Sequence, residues 1–242
     1  MGDMKRMKKI ILFCKKTNFC RYAVNILRTY FDNDQIMIIE ENRDIDLNEM
    51  LGTVESEYIV SFLSPWILPQ SIINKAKVAA INFHPGSPNY PGTGCYNFAL
   101  YEQSDKYGVT CHYMKEKVDS GKIIMTSYFD IGQNETVDTL KLKSMIHLLY
   151  IFEKIIKGIF IGEKLPKTNE KWLRKPFTRK ELNELCFIDY NNMSDKEIEL
   201  RIKATNFPLE PKYGPYTIVD NEKIYLVKEE SYEDNNYCRG RC

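Results

Sequence analysis

Short apolar runs alternate with stretches of helical length and spacing through the first third of this chain, and that alternation limits the folds open to it. Ile10–Cys14 is a compact apolar run that predicts a buried strand. Phe19–Phe31 carries Tyr22, Val24, Ile26, Leu27 and Tyr30 at helical spacing. Gln35–Ile39 and Glu57–Leu63 predict two further strands, and Ala79–Phe83 a fourth. Pro69–Lys77 predicts a short helix with proline near its first turn. Strands separated by connections of helical length argue an α/β fold with a mainly parallel sheet covered on both faces.

The middle of the chain continues in the same style. Cys95–Tyr101 predicts a short helix. Tyr107–Lys115 and Lys122–Ile131 predict two strands joined by the turn Val118-Asp119-Ser120-Gly121. Thr136–Phe160 is the longest periodic segment, with Val137, Leu140, Met145, Leu148, Leu149, Phe152, Ile155, Ile156 and Ile159 on one stripe. Lys143, His147, Tyr150 and Lys154 fall on another stripe, so His147 is expected in solvent. Gly162 and Pro166 mark the end of that helix.

From Glu163 the chain turns more polar, with 15 Lys/Arg and 15 Asp/Glu over residues 163–242. Weak helices are predicted at Thr178–Leu185 and Ser194–Thr205, followed by a connector rich in proline and tyrosine over 207–215. Tyr216–Val219 and Lys223–Val227 flank Asp220-Asn221-Glu222 and read as a hairpin. The expected division is therefore a first domain over 1–162 and a small α+β appendage over 163–242 that ends in the hairpin.

Several function classes are disfavoured. Lys+Arg is 34 and Asp+Glu 33, a net charge of +1, so no global field draws nucleic acid or an acidic membrane. The apolar runs fall far short of the ~20 residues of a spanning helix. The basic lead-in Met4-Lys5-Arg6-Met7-Lys8-Lys9 reads as a solvated end, without a signal-peptide pattern. Seven cysteines, an odd number without a C-x-x-C, suggest free thiols in a reducing compartment, hence the cytoplasm. Cys238 and Cys242 have no histidine nearby, so no metal site is expected at the tail. Lys15-Lys16-Thr17-Asn18-Phe19 after the first strand holds no glycine, which disfavours a dinucleotide loop. Neither a phosphate-binding loop of the G-x-x-x-x-G-K-[ST] type nor a G-x-S-x-G elbow occurs.

The chemistry points to residues 81–94, Ile-Asn-Phe-His-Pro-Gly-Ser-Pro-Asn-Tyr-Pro-Gly-Thr-Gly. Asn82 and His84 lie two apart at a strand end, so their side chains share a face. His84 precedes a proline and is held extended. Asp119 sits in the next candidate turn, and a carboxylate beside an imidazole fixes its tautomer. Asn, His and Asp together suit attack of an amine on a carbonyl, with the first two on the oxyanion and the last two on the proton. The bland alternative is that Asn82 and His84 cap loop backbone and Asp119 is a turn residue. His112, inside a strand, is expected as a core or surface residue, and Trp66 as core.

The motifs Ile81-Asn-Phe-His-Pro-Gly, Tyr-Pro-Gly-Thr-Gly, Tyr107-Gly-Val-Thr-Cys-His-Tyr-Met and Val118-Asp-Ser-Gly-Lys-Ile-Ile124, with His84 and Asp119 35 residues apart, resemble the formyltransferases that use N10-formyltetrahydrofolate. The resemblance implies a Rossmann-like sheet with Asn82, His84 and Asp119 as the catalytic trio and no metal. It implies that Ser64, Trp66, Ile67 and Leu68, in the Ser61–Pro69 segment, receive the pterin, with Glu116, Lys117 and Val118 as the second wall. Pro85-Gly86-Ser87-Pro88 replaces the Ser-Leu-Leu-Pro of the transfer-RNA branch and is similar to the nucleotide-linked amino-sugar branch. Pro85, Gly86, Pro88, Tyr90, Thr93 and Gly94 would then meet the acceptor, and Trp172, Arg174, Lys175, Tyr213 and Tyr216 are candidates for its nucleotide. Arg201–Pro208 resembles the family's stretch after the catalytic domain, with Lys203 where arginine is usual. The implied reaction is formylation of a dTDP-linked 4-amino-4,6-dideoxyglucose for O-antigen or other surface polysaccharide synthesis, by a homodimer joined at the 216–227 hairpin. A 3-amino sugar, another small amine, a formyltetrahydrofolate deformylase and a non-enzymatic binder are the alternatives.

Overall fold

β1 (Lys8–Cys14), β2 (Ile36–Glu40), β3 (Ser56–Phe62), β4 (Ala76–His84), β5 (Lys106–Tyr113) and β6 (Ile123–Asp130) form one sheet in the order β2-β1-β3-β4-β5-β6. In this computed structural model residues 8–41, 46–207 and 210–226 are described. Met4–Met7, Pro208, Val227 and the Cys238–Cys242 tail, on which parts of the sequence reading fall, lie outside the described residues. β1 to β4 pair in parallel, while β5 runs antiparallel to both β4 and β6.

Strand residues of alternate parity feed different cores, as a doubly covered sheet requires. Ile10, Leu12, Val60, Ile81 and Phe83 pack beneath α1 (Asn18–Tyr30) and α5 (Val137–Phe160). Ile11, Phe13, Ile59 and Ala80 face α2 (Leu47–Leu51) and α3 (Gln70–Ile73). Each fully buried Leu, Ile or Phe contributes roughly 1.5–3 kcal/mol, so both layers hold the sheet firmly. Side chains start the helices: Thr17 Oγ1 accepts from Cys20 N at 3.3 Å, and Thr136 forms a capping box with Thr139.

A third core joins the middle of the chain to the segment that follows α5. α4 (Cys95–Tyr101) contributes Phe98, Ala99 and Leu100, which pack with Leu182, Leu185 and Cys186 of α6 (Arg179–Cys186) and Ala204 of α7 (Asp195–Thr205). β7 (Tyr216–Val219) and β8 (Glu222–Tyr225) form a separate antiparallel pair.

Two expectations change and one helix is added. The Pro69–Lys77 helix is only the four residues of α3, because Ala76 already pairs with Ser56 and extends β4 backwards. α2 is a helix that apolar spacing does not reveal; Asp46 caps it by accepting from Asn48 N and Glu49 N. His147 is half-buried rather than solvated: Ser127 Oγ lies 2.8 Å from its Nδ1, and its ring sits 4.4 Å from that of Phe129. β6 lies against this side of the helix, which a polar stripe alone does not show.

Candidate active site

Asn82 and His84 lie on the face of β4 opposite Ile81 and Phe83, the face that the short α3 leaves partly uncovered. The antiparallel register sets Asn82 across from His112 and His84 across from Thr110. Directly paired residues project to the same side. Four polar side chains thus form one patch within an otherwise apolar sheet. Thr110 Oγ1 donates to Gly86 O at 2.7 Å, which leaves three groups for chemistry.

The β5–β6 connection turns back over this patch and delivers Asp119. Its carboxylate lies 3.2 Å from His84 Nδ1 and 3.2 Å from His112 Nε2, and Gly92 N donates to it at 2.8 Å. Asp119 itself has a φ of 43°, a left-handed conformation that aspartate tolerates better than most residues. Gly121 permits the fold-back: a Cβ there would stand 1.7 Å from Tyr113 O. Trp172 closes the far side, donating from Nε1 to Gly121 O at 2.8 Å with its ring edge-on to His112 and His84.

The remaining contacts define the proton inventory. His84 Nε2 lies 3.0 Å from Tyr90 O, and His112 Nδ1 lies 2.9 Å from Tyr113 O. A carbonyl only accepts, so each of those nitrogens carries its hydrogen while the contact is made. The other nitrogen of each ring faces the same carboxylate. Asn82 Nδ2 is 3.1 Å from His112 Nε2, which leaves its second N–H for a ligand. Burial would raise the Asp119 carboxyl, but the His84 and His112 imidazoles and the Gly92 N–H outweigh it and hold the group well below the usual carboxylate range. Asp119 is therefore an ionised acceptor, able to orient two imidazoles.

A cavity of about 460 Å³ opens on this cluster. Ser64, Trp66, Ile67 and Leu68 line one wall and Lys117 and Val118 the other; Glu116 stays exposed outside the lining. Leu63, between β3 and the first wall, has a φ of 51°, an outlying backbone state for leucine at the edge of the site. Pro85 and Thr93 line the cavity, whereas Gly86, Pro88, Tyr90 and Gly94 are taken up in the loop's own packing and hydrogen bonds. The returning segment clamps that loop: Leu173 N donates to Pro88 O at 3.1 Å and Phe177 N to Pro91 O at 2.9 Å.

Of the nucleotide candidates, only Trp172 stands beside the cluster of Asn82, His84, His112 and Asp119. Arg174 makes a bidentate pair with Glu102 and lies over the Tyr90 and Phe177 rings. Lys175 is exposed, and Tyr213 and Tyr216 line a small cleft with Cys186 and Lys223. Lys203 reaches Gln133 O, while Arg201 is the guanidinium that ties Glu197 to the α6 carbonyls. A larger groove of about 740 Å³ beside α1 holds none of these residues. Among the described residues no group of His, Cys, Asp or Glu is placed to hold a metal, and no helix is long and apolar enough to cross a membrane.

His112 is the residue that sequence reasoning passed over. Its signal is Thr110-Cys111-His112, a polar pair two apart that mirrors Asn82-Phe83-His84 on the neighbouring strand.

Two imidazoles, an amide and an ionised carboxylate gather where the end of β4 meets antiparallel β5, without a glycine-rich phosphate loop, an arrangement that suits group transfer. Residues 10–147 match the formyl transferase family, and the chain belongs to that family. The methionyl-tRNA formyltransferase of Mycoplasmopsis pulmonis is 27% identical over 206 residues, covering 82% of this chain and 64% of that protein. The chain thus spans less than two thirds of that relative's length. A 4-N formyltransferase from Francisella tularensis shares the fold at a TM-score of 0.74 and 20% identity, over 93% of this chain and 98% of that one. WlaRD, a sugar 3N-formyl transferase crystallised in the presence of dTDP and 5-N-formyl-THF, matches at a TM-score of 0.65 and 26% identity, over 90% and 85%.

Proposed function

We propose that this chain transfers the formyl group of N10-formyltetrahydrofolate to the amino group of a nucleotide-linked amino-dideoxyhexose, with dTDP-4-amino-4,6-dideoxyglucose as the first acceptor to try. The observation that carries formyl transfer is the contact of Asp119 with both His84 and His112, beside Asn82, at a cavity with apolar walls. The likeness to WlaRD supports the sugar acceptor. The clamped Pro85–Gly92 loop, which differs from that of the transfer-RNA branch, supports it as well.

The donor enters between Trp66 and Val118, with Ile67 and Val118 exposed at the mouth as ready apolar contacts for a flat ring. The acceptor's neutral amine attacks the formyl carbon. The carbonyl oxygen becomes an oxyanion, met by the free N–H of Asn82 and, once the amine proton has passed to it, by Nε2–H of His84. When Nε2 of His84 leaves its resting place against Tyr90 O, the ring hydrogen sits on Nδ1 against Asp119, and Nε2 is the nitrogen that takes the amine proton. The C–N10 bond breaks, N10 takes a proton, and tetrahydrofolate and the new amide are released. The proton lost by the amine balances the one gained by N10, and no metal is needed. The exposed Ile218, Val219 and Ile224 of β7 and β8 support docking of a second copy on the hairpin. The division at residue 162 and a cytoplasmic place feeding surface-polysaccharide synthesis belong to the same proposal.

The test is a panel of nucleotide-linked 3- and 4-amino sugars incubated with formyltetrahydrofolate and read by mass spectrometry. A formylated sugar from at least one acceptor is expected. No product from any of them, or formylation of methionyl-tRNA instead, overturns the sugar acceptor. Formate released without an acceptor marks a deformylase.

A further inference from the structure

A second cavity of about 670 Å³, lined in part by Trp172, shares Lys115 with the first. Lys115 lines both cavities, and Lys122 and Lys171 line the second. The chain brings these lysines together from three places: Lys115 follows β5, Lys122 precedes β6, and Lys171 comes with the segment that carries Trp172. Among the described residues none of the three makes an ion pair or a side-chain hydrogen bond. Glu170 is the carboxylate in the lining, and both its oxygens are engaged, one by Thr126 Oγ1 at 3.0 Å and the other by Tyr128 OH at 2.5 Å. The cavity therefore gathers three cations against one carboxylate, whose oxygens are held by hydroxyls rather than by a lysine, and its lining keeps a net positive charge. Lysines without partners ordinarily spread apart into solvent; three around one concavity make a field that selects anions.

Its position fixes what kind of anion. Trp172 lines the second cavity, and its ring centroid is 5.1 Å from that of His112 and 6.0 Å from that of His84, both of which line the first. A ligand spanning both cavities would have its reacting end at the imidazoles and its anionic end among the lysines. We propose that Lys115, Lys122 and Lys171 form an anion subsite of the active centre, binding the phosphate or carboxylate groups at the far end of an extended co-substrate. The proposal rests on the formyl-transfer reading for what that co-substrate is. Two sources carry the required chemistry: the diphosphate of a nucleotide-linked acceptor, and the chain of glutamate carboxylates on a polyglutamylated folate donor.

Direct binding separates them. Inorganic pyrophosphate, dTDP, monoglutamyl tetrahydrofolate and pentaglutamyl tetrahydrofolate are titrated calorimetrically into the full chain, without acceptor turnover. The same titrations use a Lys115→Met/Lys122→Met/Lys171→Met variant and a control with Lys164→Met/Lys167→Met/Lys196→Met, exposed lysines elsewhere. Thermal melting verifies that each variant is folded; a triple variant that does not fold is replaced by the three single substitutions. About tenfold weaker binding per lysine removed is expected, the size of one charge-assisted hydrogen bond, with a matching drop in salt sensitivity. Weakening confined to pyrophosphate and dTDP assigns the subsite to the acceptor. Loss of the pentaglutamate advantage alone assigns it to the donor. Affinities unchanged within twofold, an equal loss in the control, or no binding of any anionic probe by the native chain overturns the subsite. These readings involve no chemistry, so formyl transfer can fail while the subsite stands, and the reverse.

Discussion

Replacing Asp119 by asparagine isolates its charge, because the geometry leaves the amide a place to sit. One Asp119 oxygen accepts from Gly92 N at 2.8 Å and also faces His84; the other faces His112 Nε2. If the carbonyl of the substituted side chain keeps the Gly92 bond, its NH₂ stands against His112 Nε2, sharing with Asn82 Nδ2 the lone pair left when Nδ1 carries the hydrogen toward Tyr113 O. The swap therefore preserves shape and most hydrogen bonds while turning two charge-assisted contacts into neutral ones. The difference is about 1–3 kcal/mol of stability in total. For a chain of this size that lowers the melting temperature by roughly 2–10 °C. Turnover should suffer far more. The carboxylate no longer orients His84 or stabilises its protonated form, so kcat should fall on the order of 10³-fold, within the range of positioned acid–base catalysis. KM should move less than about threefold, because Asp119 touches the histidines rather than the donor's walls. The assay is formylated product by mass spectrometry at saturating substrates, with melting followed by circular dichroism. A folded Asp119→Asn chain with kcat within tenfold of the native value would refute the role given to the carboxylate. Asp119→Ala serves as contrast: it leaves Gly92 N and both imidazoles without their partner and should cost about 3–5 kcal/mol.

Three further outcomes follow from the same contacts. Gly86→Ala should lower kcat and cost about 1–3 kcal/mol, since its Cβ would lie 2.5 Å from both His84 Nε2 and Tyr90 O; native activity and melting in that variant would contradict the packing described. Ser87→Ala should raise the melting temperature by a few degrees, because Ser87 Oγ is buried without a partner among the described residues and its removal recovers about 1 kcal/mol of desolvation; a lower melting temperature would mean the hydroxyl is bonded. Asp119 titrates lower in the folded chain than its ordinary 3.8. Its contribution is thus complete above about pH 4 and is lost as pH falls below that, so the stability gap between the native chain and Asp119→Asn should narrow from pH 5 toward pH 3 in urea titrations; a gap that widens in acid would reverse the sign of this argument.

The layers of the fold were legible because each rests on one-dimensional periodicity. Strands β1 to β4 and helices α1 and α5 declare themselves through apolar spacing, and the predicted bounds fall within a few residues of those observed. The Pro69–Lys77 helix fails because local spacing cannot sense that Ala76 finds Ser56 across the sheet. The expectation for His147 fails for a related reason. Its stripe is polar by composition, yet Ser127 and Phe129 of β6 give it a partner and a surface. The site divides in the same way. Asn82 and His84 were visible as a pair on one strand, and Asp119 as a turn residue at a telling distance. Which strand lies beside β4, in which direction and in which register, is a tertiary fact, and His112 depends on all three.

That register also bears on the catalytic and the bland readings of the patch. A buried imidazole kept only for structure needs one acceptor for its N–H and one donor for its lone pair. Each histidine here has a carbonyl on one nitrogen and the shared Asp119 carboxylate on the other, so His84 is surrounded by acceptors and His112 gains a donor only from Asn82. A ring protonated on both nitrogens can donate to its carbonyl and to the ionised Asp119 together; a neutral ring leaves one lone pair facing an acceptor. Simple capping of loop backbone would need neither the second histidine nor the buried carboxylate, since His84 alone meets the Tyr90 carbonyl. Two imidazoles that share one carboxylate at the end of a cavity of about 460 Å³ are placed to handle the proton of an attacking amine.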